Sequence, residues 1–438
     1  MNELKFEFEW IDPGDAVGAE LRATWARLQL LIDGESIIRA LDTESKTVRT
    51  SVFLPVYPLA EWIATHWWFL FNEIETPGRS TEETYSSRHD LRHAGEGFAL
   101  PPTFLRPMGS NIRLDWSPAL LPHHRVEFVG QGSAHVSYAD LQKGLSSFLS
   151  SVTKRLNDLG ITGTLLQEEW QSITDLPNQE REFCLASAAL GLDPYALDEE
   201  TADLLVKVSE TLPKSLAEDF FWVADFPYLK EQLQVVMDAW HSTRSNSTNL
   251  TPLRELREAT HARPIVPGTP WQQGYDYAHF LRNQLNLNGK ILQRFEDVSE
   301  ALQLDPHELD KAIKSSKDNG SIFDAMVDTN ATGSPVFAIT PKRSDALKFA
   351  FCRILFEFLS ASNEEPLIVT KSRSDRQKRN RAFASEFLLP ADVLRQRITT
   401  SFVDEETVDE LAAEFGVSTY VVEHQLENNR IAKTLSSS

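Results

Sequence analysis

The run LKFAFCRILFEFL, Leu347 to Leu359, constrains this chain most. It is apolar almost all round, broken only by Lys348, Arg353 and Glu357. A surface helix shows one apolar stripe, whereas a helix apolar on every side has to be surrounded by protein. This stretch is therefore expected to be a central buried helix, and the charges inside it need partners. Arg353 and Glu357 stand four residues apart on one helical face, where they are expected to neutralise each other as an ion pair. The competing reading is that the two bind an anionic ligand or a peptide terminus. The later segment RQKRNRAFASEFLLP, Arg376 to Pro390, reads as a charged loop and a second helix that stops at Pro390.

A chain of 438 residues is too long for one simple core, and about two to four domains are expected. With 24% charged and 41% hydrophobic residues the composition is that of a folded globular protein. The net charge of -21 opposes indiscriminate binding to nucleic acid or to anionic membranes. Cys184 and Cys352 each sit in an apolar helical pattern and read as buried thiols of a reducing compartment. The N-terminus, MNELKFEFEW, has no leader pattern, and no apolar run reaches membrane-spanning length. A cytoplasmic, bacterial protein without a membrane partner is expected.

In chain order, Leu4 to Trp10 alternates apolar and charged residues, and Arg27 to Ile32 runs into Asp33-Gly34, a hairpin signal. Ser51 to Val56, Asn111 to Trp116, Arg125 to Val129 and Ala134 to Tyr138 read as further strands, separated by PP, MGS and GQG turns. Between them LAEWIATHWWFLFNEI reads as one buried helix. The fold class is α+β, mainly α. Residues 1–136 are expected to form a mixed α+β domain and 137–241 a helical domain. A linker is placed at 242–261, around the polar STRSNSTNLT. Residues 262–400 and 401–438 follow as a further domain and a helix-turn-helix-like cap.

The C-terminal part carries WQQGYDYAHFLR from Trp271, then two strand-like runs, Ser321 to Asp328 and Pro335 to Thr340. The buried helix follows, and then FASEFLLP from Phe383. This order resembles the ImmA/IrrE metallopeptidase family over Pro264 to about Ala432. The residues carrying it are Trp271, Gly274, Tyr275, Ala278, Leu281 and Arg282, with Phe383, Ala384, Glu386, Leu388, Leu389 and Pro390. The resemblance implies a zincin-like domain whose buried helix holds HExxH: two histidines share zinc and the glutamate activates its water. In that alignment Arg353 and Glu357 stand at the two histidines, Ile354 at the catalytic glutamate, and Gln377 at the third, acidic ligand. The resemblance thus implies a metal site that has lost its chemistry, with no cofactor. Active members are associated with cleavage of repressors in stress responses and mobile-element control.

Between Pro341 and Arg381 there are ten Lys/Arg and five Asp/Glu, a local balance of +5 that leaves -26 for the remainder. Arg373, Arg376, Lys378, Arg379 and Arg381 are candidate anion ligands. The competing reading is an exposed segment that pairs with acidic surface. The tail VDEETVDELAAEFGVSTYVVEHQLENNRIA reads as two helices joined at Gly416 and capped by Ser418. Its acidic first helix suits packing better than approach to phosphates. His89 and His93 in HDLRH have zinc-helix spacing, with Glu96 or His66 as extra ligands, but the polar, glycine-bounded flanks oppose a buried metal helix. Trp62, Trp67 and Trp68 read as core or interface.

The expectation for function is a catalytically inactive ImmA/IrrE-like homologue acting as a regulatory or binding module on another protein or peptide, in stress response, mobile-element control or phage defence. One alternative is an active metallopeptidase with a rebuilt site. Another is a nucleic-acid-binding regulator that uses residues 371–381 and the tail.

Overall fold

The computed structural model describes residues 2–13, 18–76, 81–121, 124–244, 248–261, 263, 268–315, 322–330, 333–362 and 364–435. The chain forms two compact units, Met1–Leu205 and Val206–Ser438. Residues 245–247 of the expected linker, the turn at 264–267 and the first residue of the run at 321–328 lie outside the described residues.

The alternating N-terminus forms strand β1 (Leu4–Trp10), followed by helix α1 (Ala19–Ala23) and β2 (Trp25–Ile32). β1 and β2 are antiparallel, with Leu4 opposite Ile32 and Trp10 opposite Ala26. Asp33 and Gly34 take φ of 52° and 83°, as both central positions of a type I′ hairpin must, and lead into β3 (Glu35–Ser36). Then come β4 (Ala40–Asp42), β5 (Val48–Arg49) and β6 (Val52–Pro55), followed by α2 (Tyr57–Thr65), α3 (Trp67–Asn72) and α4 (Glu82–His89). The single helix expected here is two, because at His66 the backbone leaves helical geometry and the ring Nδ1 lies 2.9 Å from the Trp62 carbonyl. Trp62, Trp67 and Trp68 are buried in the core.

The stretch between the PP and MGS turns also forms a strand, β7 (Thr103–Pro107), with its proline at the end, where a missing N–H is tolerated. It is followed by β8 (Asn111–Trp116), β9 (Ala119–Leu120), β10 (Val126–Phe128) and β11 (Gly132–Ser137). Three antiparallel sheets result: β1-β2-β3 with β6 on β2, β5-β4-β10-β9, and β11-β8-β7. Helices α5 (Tyr138–Asp158), α6 (Leu165–Asp175) and α7 (Asn178–Ala189) share their core, where Phe148 of α5 stacks on Phe6 of β1 at 4.6 Å. The division between the units falls in α8 (Glu199–Thr211), so the helical stretch expected at 137–241 contributes to both.

The second unit opens with α9 (Lys214–Val223), α10 (Leu229–Arg244) and α11 (Thr251–His261), the last lying within the stretch expected to be a linker. Leu250 and Leu253 enter the core there, which holds the segment as structure. Next come α12 (Pro270–Gln284), α13 (Phe295–Ala301), α14 (Pro306–Ala312), β12 (Ile313–Ser315), β13 (Ala325–Thr329) and β14 (Pro335–Ile339). The central helix α15 (Ser344–Ser360) is followed by β15 (Leu367–Val369), α16 (Asp375–Leu388), α17 (Ala391–Arg397), β16 (Phe402–Val403), α18 (Glu405–Phe415), α19 (Thr419–Asn428) and β17 (Lys433–Thr434). The sheet order is β12-β14-β13-β15, with β12 parallel to β14 and the other pairs antiparallel.

α15 is buried on every face from Ala350 to Leu359, as its composition requires. Its Phe351 packs edge-on against Phe337 of β14 and Phe295 of α13. α12 crosses α16 closely at Gly274, where an added Cβ would lie 2.4 Å from the Arg379 carbonyl oxygen and 2.8 Å from the Phe383 nitrogen. Two cations buried among backbone carbonyls fix what surrounds these helices. Arg282 donates to the carbonyls of Phe387, Leu287 and Lys290, and Lys348 to those of Leu292, Gln293 and Phe415. Gly416 ends α18 in the left-handed region, φ 59°, pressed against the Gln293 carbonyl. No helix among the described residues is long and apolar enough to cross a membrane.

Candidate functional site

The buried ends of α15 and α16 meet beside β15, and there the structure gathers four of the residues singled out in the sequence. Arg353 and Glu357 project from α15, Arg376 and Gln377 from α16. Ile354 is fully buried in the apolar core. The Ser374 hydroxyl caps α16 by accepting from the Gln377 N–H at 3.3 Å, which starts the helix where its first turn faces Arg353.

The ion pair expected between Arg353 and Glu357 is replaced by a wider network. Arg353 donates from Nη1 to Asp324, from Nη2 to the Thr370 carbonyl at 2.7 Å and to Gln377 Oε1 at 2.9 Å, and from Nε to Asn380 Oδ1 at 2.8 Å. The same Asn380 donates from Nδ2 to Glu357 Oε1 at 2.8 Å. Thus an amide from α16 bridges the two charges of α15: its carbonyl side faces the cation and its N–H side the carboxylate. Glu357 also lies 3.8 Å from Arg376 Nη1.

Gln377 ties the remaining parts together. Its Oε1 also accepts from the Thr370 N–H and from Asn380 Nδ2, each at 3.0 Å. Its Nε2 donates to Asp219 Oδ1 at 3.0 Å and to the Ile368 carbonyl at 3.1 Å. Asp219 comes from α9, and its second oxygen accepts from Arg376 Nη2, which also donates to the Ile368 carbonyl at 2.9 Å. Arg353, Glu357, Asn380, Gln377 and Asp219 are all buried. Burial pushes the Asp219 carboxyl up to about 6, although Arg376 and Gln377 pull it down. Burial likewise lowers the Arg353 pKa from its ordinary value, opposed by Asp324.

The rest of the basic segment divides by exposure. Arg381 donates to the Ser372 carbonyl at 2.8 Å, and burial, with Arg353 and Arg373 nearby, lowers its pKa to about 9. Arg379 and Lys378 are half-buried; Arg373 is exposed. The expected exposed segment is therefore in part an inward-facing one, because Arg376 alternates with the buried Asp375 and Gln377. Sequence reasoning missed Asp219, Asp324 and Asn380. Asn380 had a signal, since it lies three residues after Gln377 on the same helical face. Asp219 and Asp324 had none beyond being carboxylates next to apolar residues.

The tail is anchored from the same helix. Glu386 accepts from the Ala391 N–H at the start of α17, from Gln425 Nε2 in α19 at 2.8 Å, and pairs with His279 of α12 at 2.7 Å. α19 buries Val421, Val422, Gln425 and Leu426, leaving Tyr420, His424 and Glu427 on its outer face.

In the first unit HDLRH is not one helix. α4 ends at His89, Asp90 is extended, and His93 falls in a separate 3-10 turn. His89 is fully buried despite its polar flanks, held by the Leu105 carbonyl at 2.8 Å and by Glu73 at 3.1 Å, whereas His93 lies 3.4 Å from the Ser86 hydroxyl. His66 bonds the Trp62 carbonyl, and Glu96 is exposed in a left-handed turn. No group of three or more His, Cys, Asp or Glu placed to hold a metal occurs among the described residues.

No curated protein matches the chain. The family comparison is positive: it covers β15, α16, α17, α18 and nearly all of α19, and begins just after α15. Residues 362–427, in the C-terminal region, match the Peptidase_M78 family model, described as the IrrE N-terminal-like domain.

Proposed function

We propose that the C-terminal region is a metallopeptidase-like fold that has exchanged its metal site for a closed polar network, and that it works as a binding or regulatory module. The observation that carries this is the buried hydrogen-bond network around Arg353. A guanidinium that stays charged stands at a position where the resemblance puts a zinc ligand, and it would repel a cation. Gln377, a neutral amide, stands at the third ligand position and spends its oxygen on Arg353, Asn380 and Thr370. Ile354, at the position of the general base, has no proton-accepting group. Zinc does not fit this donor set, and no step through a metal follows.

The other alternative, nucleic-acid binding, is less favoured at Arg376, one of its five candidate ligands, because that side chain is engaged with Asp219. A protein or peptide partner is the better fit to a chain of net charge -21. The resemblance makes stress response, mobile-element control or phage defence the natural setting. The test is peptide hydrolysis by the purified full chain against a mixed peptide library. No chelator-sensitive cleavage is expected; cleavage abolished by chelation and restored by zinc would overturn the reading.

A further inference from the structure

The two donors that meet Asp219 are held in place by groups other than Asp219. The Ile368 carbonyl accepts from both Arg376 Nη2 and Gln377 Nε2. The Gln377 oxygen is fixed by Arg353, Asn380 and the Thr370 N–H, and Arg376 has Glu357 on its other side. Side chains oriented in this way form a two-point receptor for a carboxylate, one point charged and one a neutral amide. Asp219 supplies one oxygen to each. It reaches them because α9 is seated by its apolar residues, with Leu216 and Phe220 fully buried, and by the Ser215 hydroxyl donating to the Pro366 carbonyl at 2.8 Å.

We infer that Arg376 and Gln377 form a carboxylate-binding site in the former metal cleft, and that Asp219 of α9 occupies it as an internal ligand. The inference rests on the reading of this cleft as non-catalytic and names the chemistry it retains. An external carboxylate reaches the site only when Asp219 is withdrawn. The charged groups that act on Asp219 are Arg376, Glu357 and Arg353, with Glu218 beside it on its own helix. Arg376 is thereby shared between Glu357 and the carboxylate that fills the site.

The test is chemical replacement of the missing carboxylate. Asp219→Ala removes the carboxylate and leaves a void of its size while α9 keeps its apolar seat. Formate titrated into this variant is expected to raise the melting temperature of the second unit saturably, by about 3 °C or more, the response of a unit of this size to a bound ligand. Chloride at matched ionic strength, the wild type, and the double variant D219A/R376A should show no saturable rise. If D219A does not fold alone, the readout is its refolding yield with and without formate. Asp219→Asn, which fills the void, gives a folded control expected to ignore formate. No formate response in D219A by either readout would overturn the site. That outcome is separable from the proposed function, since zinc-dependent cleavage would overturn the latter whatever formate does.

Discussion

Replacing Arg353 with alanine removes a buried cation that serves four acceptors. Asp324 loses its guanidinium, and Asn380 Oδ1, Gln377 Oε1 and the Thr370 carbonyl each lose a donor. Breaking a buried charge pair from one side costs about 3–5 kcal/mol, because the remaining charge is left uncompensated. The Asp324 side chain is 17% exposed, so water recovers part of the loss and the lower half of that range is expected. At about 1.4 kcal/mol per factor of ten, amide exchange limited by opening of this region should quicken by roughly two to three powers of ten. Hydrogen exchange read by mass spectrometry on peptides from 344–360 and 375–388 of the full chain measures this, with peptides of the first unit as internal control. Adding Asp324→Ala should recover part of the loss, since neither charge is then stranded. A change below about 1 kcal/mol, the worth of an exposed pair, would refute the claim that the network is a buried structural element.

Gly274→Ala drives a methyl into the backbone of Arg379 and Phe383 and should cost about 3 kcal/mol, the upper end for overpacking, seen as a lowered melting temperature of the second unit. Lys348→Met strands the carbonyls of Leu292, Gln293 and Phe415 at about 1–3 kcal/mol for each one left dry; exchange in 405–415 should speed up first. Asp219 gives a pH signature. Its folded value, about 6, lies above the ordinary 3.8, so its contribution to stability is full below the unfolded value and is lost as pH rises through 6. The wild-type unfolding free energy minus that of Asp219→Asn should therefore fall between about pH 4 and 7 in urea titrations, and a flat or rising difference would show that the carboxyl is not raised.

The elements legible in the sequence were those with a strong period or cap. β1 alternates, Asp33-Gly34 dictates its turn, α15 is too apolar to lie anywhere but inside, and Gly416 with Ser418 marks the join of α18 and α19. The two-residue strands were not legible, because so short a run has no period; they exist through their neighbours. β7 was hidden by the prolines around it, and the break at His66 by an apolar pattern that continues through it. At the site, the sequence placed Arg353, Glu357 and Gln377 together but misassigned the pairing. Helical spacing shows which side chains share a face, but not that Asn380 from another helix reaches between them. Asp219 lies more than a hundred residues away in an apolar helix, and only tertiary packing brings its carboxylate to Arg376. His89 shows the converse, since its polar flanks hid a fully buried side chain that Glu73 and the Leu105 carbonyl satisfy.

Hydrogen-bonded side chains stand where the family resemblance places a metal. Metal analysis of the purified full chain, equilibrated with excess zinc and then passed through buffer exchange, tests this most directly. Well under one zinc per chain is expected, unchanged by Arg353→Ala. One tightly held zinc per chain, lost on substitution of Glu357 or Asp219, would contradict this.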